Sequence, residues 1–374
     1  MLNFVGNLSM NKDELYQILI KMIPIKTDSV IEFRGVVKNI LDDYCKYLRQ
    51  FNDFDNSDKW KATLNRVTRL CRGINRAIEK EYMGMRHSAY SIIKNQLEGY
   101  NSNTGPVDGL AYNYNVFIIE KDSIAYRMRN IELKEQYRLK AGDMFHIPLD
   151  KRGLVKTQRF SVPGYPCLYL SKTIYGCWEE MRRPVFGTVM VSKFCVQSRF
   201  SVLDLRVPSK DKWNNHFEQC VVFFPLVLSS MVQVNNIDDT YKPEYLIPQL
   251  LTEWIISHNQ KLKTKNQLYG IMYTSVHKNK DFDYPEDSCD NFAIPVIEPL
   301  SEGTYCKSLA HVFKLTPPTY YDLEVLRQGS LIDGGYFGLT EEQQKEYNLR
   351  QSPFGRMAEY LNNKPLESLC NTII

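Results

Sequence analysis

At 374 residues the chain is too long for one ordinary hydrophobic core, so two or three domains are expected. With 43% hydrophobic, 12% aromatic and 24% charged residues, its composition excludes a disordered or fibrous chain. Its 47 basic and 43 acidic residues leave a formal charge of +4, too small over this length to point to a polyanionic partner.

Nine cysteines lie scattered at 45, 71, 167, 177, 195, 220, 289, 306 and 370 with no C-x-x-C pair. That is neither a disulfide framework nor a local zinc site, and it fits a reducing compartment. The amino terminus, MLNFVGNLSMNKDELYQ, lacks the basic-then-apolar layout of an export signal, so a cytoplasmic location is expected. The most apolar run, CVVFFPLVLSSMVQV at 220–234, is shorter than the roughly 20 residues a bilayer requires. It contains Pro225 and reads as a buried core segment, with no membrane as partner.

From residue 28 to about 100 the pattern is helical. In WKATLNRVTRLCRGINRAI the apolar residues Trp60, Leu64, Val67, Cys71, Ile74 and Ile78 recur in steps of four and three, which places them on one face of a helix. Phe33, Val36, Ile40, Tyr44, Tyr47 and Phe51 are spaced similarly, and two or three such helices pack as a small bundle. Arg66, Arg69, Arg72 and Arg76 stripe the opposite face. Such a stripe can touch phosphates, but an amphipathic helix normally shows charge to water, so the stripe alone assigns no partner.

NSNTGPVDG, 101–109, is a cluster of turn formers and marks a domain boundary. Beyond it, strands are expected at 116–119, 124–128, 167–171, 188–196, 269–275 and 291–296, with helical runs between some of them, the clearest being EYLIPQLLTEWIISH at 244–258. Interspersed short strands and few helices predict an α+β domain. After residue 315 comes a tail in which Thr340, ahead of an acidic stretch, signals a short capped helix. The chain carries no Walker phosphate loop, no G-x-G-x-x-G, no H-E-x-x-H and no G-x-S-x-G, and its six histidines are far apart, so no metal is expected.

The polar residues are most informative in RFSVPGYPCLYLSKTIYGCWEE, 159–180. A Pro-Gly turn leads into the strand CLYLS, and 173–183 reads as a helix stopped by Pro184. At about 100° per residue, Ile174, Cys177, Trp178 and Met181 share a face, Glu180 flanks it and reaches the core edge, and Glu179 points away toward solvent.

These residues resemble the RES-domain family, named for its Arg, Glu and Ser. The resemblance rests on AYRMR, on MFHIPLDKRGLVKTQRFSVPGYPCLYLS with the following WEE helix, and on YGIMYTSVHKNKDFDYPEDSCDNFAIPV. It covers about residues 110–315, leaving a helical N-terminal domain at 1–100 and a C-terminal extension at 316–374. It implies an ADP-ribosyltransferase-like core of two small, mostly antiparallel sheets facing each other across a site for NAD. Carried over by position, the signature is Arg127, Arg159, Tyr169, Glu180 and Ser275, with Glu179 the rival for the glutamate. Some family members carry an aromatic just after the first arginine; this chain has Met128 there, and Tyr126 is the substitute for the nicotinamide side. His277, two residues beyond Ser275, either shares its side of the strand and orients an acceptor or sits at the surface as a loop-edge histidine.

Members of that family are toxins of toxin–antitoxin pairs that hydrolyse or phosphorolyse NAD, and some relatives modify proteins. The resemblance therefore implies an NAD-consuming enzyme, with Glu180 stabilising positive charge on the ribose, Arg127 and Arg159 gripping the pyrophosphate, Tyr169 stacking, and Ser275 meeting the ribose or carboxamide. ADP-ribose transfer to a macromolecule is the alternative. A binding protein with an inactive cleft, engaging nucleic acid through the arginine stripe, is a third reading, and nucleic acid is the less expected partner. The N-terminal helices are candidates for binding an antitoxin or for homo-oligomer formation.

Overall fold

The structure is a computed structural model that describes residues 10–26, 33–51, 58–101, 105–106, 115–131, 139–260, 267–278, 282–299, 303–320 and 340–372. It divides into two compact units, Met1–Asn115 with Val207–Trp254, and Val116–Arg206 with Ile255–Ile374. Residues 207–254, expected inside the sheet domain, thus belong with the N-terminal helices, and the tail after 315 belongs with the sheet.

The first unit is helical. Helix α1 (Lys12–Lys21) opens with a reciprocal capping box between Asn11 and Glu14. In α2 (Phe33–Gln50) the buried lane is Phe33, Val37, Leu41, Tyr44 and Leu48, rotated from the expected one because Val37, Leu41 and Leu48 form a second apolar row beside Val36 and Ile40. In α3 (Asp58–Tyr82) Trp60, Val67, Cys71, Ile74 and Ile78 are buried as spaced, whereas Leu64 is only partly covered. Arg72 and Arg76 face solvent. Helix α4 (Arg86–Glu98) ends on Gly99, whose φ of 76° is the left-handed cap that glycine supplies at least cost.

The second unit is built on a ten-stranded sheet. Its strands are β1 (Val116–Ile119), β2 (Ile124–Asn130), β3 (Cys167–Ser171), β4 (Val189–Val196), β5 (Phe200–Leu205), β6 (Leu268–Thr274), β7 (Asp290–Pro295), β8 (Phe313–Leu315), β9 (Thr319–Tyr320) and β10 (Glu367–Ser368). The order is β10-β8-β4-β2-β3-β7-β6-β5-β1, with β9 also on β4, and among the described residues β5–β6 is the one parallel pair of the sheet. The fold class is α+β, as the mixed texture predicted.

The two facing sheets of the expectation are instead one continuous hydrogen-bonded sheet, yet a narrow seam divides it. Strands β2 and β3 meet through the single pair Tyr126↔Ser171, whereas β2 runs alongside β4 for seven pairs and β3 alongside β7 for five. Five strands lie on each side of this seam.

Both faces of the sheet carry cores. One holds Ala125, Leu168, Leu170, Phe194, Val202, Met272, Ile294 and Phe313. The other holds Tyr126, Met128, Ile174, Tyr175, Cys177, Val189 and Val191, together with Phe354, Met357 and Leu361. Those last three come from a tail helix, Pro353–Asn362, which follows the expected capped helix, Glu341–Gln351 with Thr340 as its cap. Each buried side chain of that size contributes about 1.5–3 kcal/mol, so this part of the tail is core rather than appendage.

Of the remaining helices, α5 (Ile174–Glu180) lies at the seam, packing on β2 and β3. In the first unit α6 (Lys210–Asn215) leads into α7 (Phe217–Ser230), whose middle is buried along its whole length despite Pro225. Helix α7 carries residues 220–230 of the apolar run 220–234. No helix among the described residues is long and apolar enough to cross a membrane.

Candidate functional site

The site is assembled from the two ends of the opening stretch. Strand β3 ends at Ser171, and Thr173 starts α5 by accepting the Gly176 amide at 2.9 Å while donating to the Ser288 carbonyl at 2.5 Å. Gly176 is required there: a Cβ would come within 2.2 Å of Ser171 Oγ and 2.7 Å of the Ser288 carbonyl. The helix therefore sits tight on the strand, and its last residue is Glu180.

Glu180 accepts three hydrogen bonds. Ser275 Oγ donates to Oε2 at 2.6 Å, Asn291 Nδ2 donates to Oε2 at 3.2 Å, and the Tyr273 hydroxyl donates to Oε1 at 3.2 Å. Donors converging on both oxygens hold a carboxylate in one orientation. Tyr273 and Ser275 come from the end of β6, two residues apart and so on one side of the strand, and Asn291 comes from β7 beside it. Ser275 is also fixed by its own backbone, since its amide donates to the Cys289 carbonyl and its Oγ accepts the His277 amide at 3.1 Å.

A buried ion network stands behind these strand ends. Arg206 bonds both oxygens of Asp204, at 2.8 and 3.0 Å, and reaches Asp290 at 3.3 Å. Thr274 in turn donates to Asp290. The network thus ties together the residues immediately before Ser275 and Asn291. Burial pushes the Asp290 carboxyl up to about 6, and Arg206 and Thr274 hold it from rising further.

Arg159 lies on a tight turn closed by paired backbone bonds between Gln158 and Ser161. It is only 6% exposed, uncommon for an arginine and consistent with an inward-facing role. The turn is held by Tyr169, whose hydroxyl accepts the Phe160 amide at 3.2 Å and shares a 2.8 Å bond with Ser161 Oγ. Phe160 packs on Tyr273 with ring centroids 4.5 Å apart. Tyr169 therefore anchors the Arg159 turn through its hydroxyl.

His277 is partly buried on the turn after β6. Burial pushes its ring below the ordinary value, Glu180 pulls it back, and Arg159, Arg182 and Arg183 push it further down. Glu180, Ser275 and His277 are thus neighbours joined through the Ser275 hydroxyl, and Tyr169 touches the turn that carries Arg159, whose next residue, Phe160, packs on Tyr273.

Arg127 points from β2 toward residues 141–145 and donates to the Phe145 carbonyl at 2.7 Å. Burial, with Arg129 adding to it, pulls its guanidinium down to about 10. Tyr126 departs from the expectation. Successive strand residues face opposite ways, so its ring lies in the core with Cys177 and Ile174, away from Arg127. Met128 lies in that same core.

Glu179 is the clearest correction. Expected in solvent, it is fully buried, and its Oε2 accepts Arg183 Nε at 3.0 Å. The helical wheel assumes one wet face, but α5 is covered by β2 and β3 on one side and by residues 286–289 and the Pro353–Asn362 helix elsewhere. The helix also ends earlier than Pro184, through Arg182 and Arg183, whose φ values of 61° and 60° are left-handed.

Sequence reading missed Tyr273, Asn291, Arg182 and Arg183. Tyr273 had a usable signal, its two-residue spacing from Ser275. Asn291 becomes visible only once β7 is paired beside β6. Among the described residues, no group of three or more His, Cys, Asp or Glu side chains is arranged to hold a metal ion.

No family model matches the chain, and no solved structure matches it. It is similar to a Bacillus subtilis (strain 168) protein named "Putative toxin YopC": the two are 27% identical over 358 residues, covering 91% of this chain and 78% of that protein.

Proposed function

We propose that this chain is a toxin that consumes NAD by breaking the bond between nicotinamide and ribose. The toxin role draws on the likeness to the B. subtilis protein that carries that name. The chemistry draws on one observation above all: a carboxylate, Glu180, held by Ser275, Tyr273 and Asn291, with Arg159 and His277 alongside.

Loss of nicotinamide develops positive charge on the ribose, and a fixed carboxylate needs no reorganisation to meet that charge. Three donors keep Glu180 turned to one direction, and Ser275 is the donor placed to exchange its bond for a ribose hydroxyl. Arg159, buried and presented on a braced turn, supplies a planar pair of donors for the pyrophosphate. Arg127 has one Nη on a carbonyl and its remaining donors serve the same end. The substrate pool in this reading is that of the cytoplasm.

Purified protein incubated with NAD, with and without phosphate, is expected to release nicotinamide, and the ribosyl product identifies the acceptor. Release only on addition of a protein or nucleic acid acceptor would identify ADP-ribose transfer instead. No release from folded wild-type protein under any of these conditions removes the reading.

A further inference from the structure

Two consecutive non-glycine residues with left-handed backbone are rare, and each costs about 1–2 kcal/mol. Here both are arginines, Arg182 and Arg183, at the end of the helix that carries Glu180. Their amides close the helix by donating to the Glu179 and Trp178 carbonyls at 2.9 and 2.8 Å. Glycine would make the same closure without strain. Strain of this kind, kept where a cheaper residue would serve, points to use of the side chains.

The side chains are also prepared for use. Arg183 is held by Nε on the buried Glu179, with its guanidinium carbon 5.8 Å from the Trp178 ring centroid. Its Nη groups have no hydrogen-bond partner among the described residues. Arg182 is exposed, and its guanidinium likewise has none. Both arginines, with Arg159, act on His277, while Glu180 opposes them. Glu179 is the counter-ion of Arg183, whereas Arg182 makes no ion pair among the described residues.

We infer that Arg182 and Arg183, with His277, form a binding site for a phosphate group beside Glu180. The planar forks of guanidiniums from two consecutive residues match phosphate oxygens in geometry and in charge. The phosphate is either that of a bound nucleotide or a free phosphate ion, and the same donors serve both. The inference rests on the NAD reading for the identity of the nucleotide, though not for the anion itself.

The test titrates the full chain with inorganic phosphate and with ADP-ribose, by calorimetry at low ionic strength, for wild type, Arg182→Gly and Arg182→Lys. Arg182→Gly removes backbone strain along with the charge, so its melting temperature is expected to equal or exceed that of wild type. Its affinity for phosphate is expected to fall about tenfold, equal to ~1.4 kcal/mol, and Arg182→Lys is expected to lose less. Competition between phosphate and ADP-ribose identifies the nucleotide's phosphate as the occupant. Simultaneous binding identifies a free phosphate. The inference is overturned if wild type binds neither ligand, or if Arg182→Gly binds both within about twofold of wild type. Phosphate binding that depends on Arg182 in a protein that releases no nicotinamide would remove the NAD reading alone; nicotinamide release with Arg182-independent binding would remove this one alone.

Discussion

Ser275 Oγ donates to Glu180 Oε2 across 2.6 Å, joining the end of β6 to the end of α5 over 95 residues of sequence. A hydrogen bond to a charged acceptor contributes about 1.5–3 kcal/mol. Ser275→Ala leaves Asn291 and Tyr273 on the carboxylate, so nicotinamide release from NAD is expected to fall roughly 10- to 100-fold rather than vanish. A Ser275→Ala protein with wild-type turnover would show that this bond does not serve the chemistry.

The neighbouring glutamates separate by readout. Glu180→Gln keeps the shape of a partly buried side chain, so it is expected to abolish turnover with little change in melting temperature. Glu179→Ala opens a void in a fully buried position and strips Arg183 of its partner. Because Arg183 is itself 43% exposed, the ion pair is partly screened, and a loss of about 2 kcal/mol is expected. Denaturant unfolding of the two variants, set beside their nicotinamide release, checks the division; the reverse pattern would make Glu179 the working carboxylate.

Gly176→Ala tests whether the closeness of α5 to β3 matters for the site. The new methyl would meet Ser171 Oγ and the Ser288 carbonyl at distances no side chain tolerates. Overpacking of this kind costs about 1–3 kcal/mol, and the helix relieves it by lifting away with Glu180. Turnover and melting temperature are expected to fall together. Adding Ser171→Gly removes the nearer obstacle, so the double variant recovers part of both, whereas the backbone carbonyl of Ser288 prevents full recovery. Full activity in the single variant would mean that Glu180 does not depend on this packing.

Local pattern made the strands legible. CLYLS and AYRMR are short runs bounded by turn residues, and they form β3 and part of β2 where their composition placed them. The convergence of Glu180 and Ser275 was legible through the family resemblance, since no periodicity relates residues so far apart. What was lost depended on packing. Helical spacing sends Glu179 to solvent on the premise that a helix has a wet side, and the resemblance sends Tyr126 to the site although strand alternation turns it away from Arg127. Residues 207–254 look like part of the sheet domain in sequence because nothing in composition separates their apolar helices from its core. Arg182 and Arg183 were hidden because backbone handedness at a helix end leaves no trace in hydrophobic pattern.

Acid stability tests a residue outside the site. His146 is fully buried, its Nδ1–H donating to the Ile147 carbonyl at 2.8 Å and its Nε2 accepting the Cys306 amide at 2.9 Å. A second proton would set an N–H against an N–H in a buried place. Burial accordingly pulls the ring from 6.5 down to about 4, with Arg127 adding to it and the Ile147 carbonyl opposing. A folded value below the unfolded one means that the unfolded chain takes up the proton first. The stability from neutral His146 is complete above pH 6.5 and is lost as pH falls toward 4, by about 3 kcal/mol. Asp290 acts in the opposite sense: its folded value of about 6 lies above its ordinary 3.8, so folding gains stability as pH falls through that window. Urea unfolding of wild type alone would record the sum of the two. The difference between wild type and His146→Gln isolates the histidine, and the advantage of wild type is expected to shrink by about 3 kcal/mol between pH 7 and pH 4. A difference that stays flat with pH would mean that His146 is not held neutral by its two backbone partners.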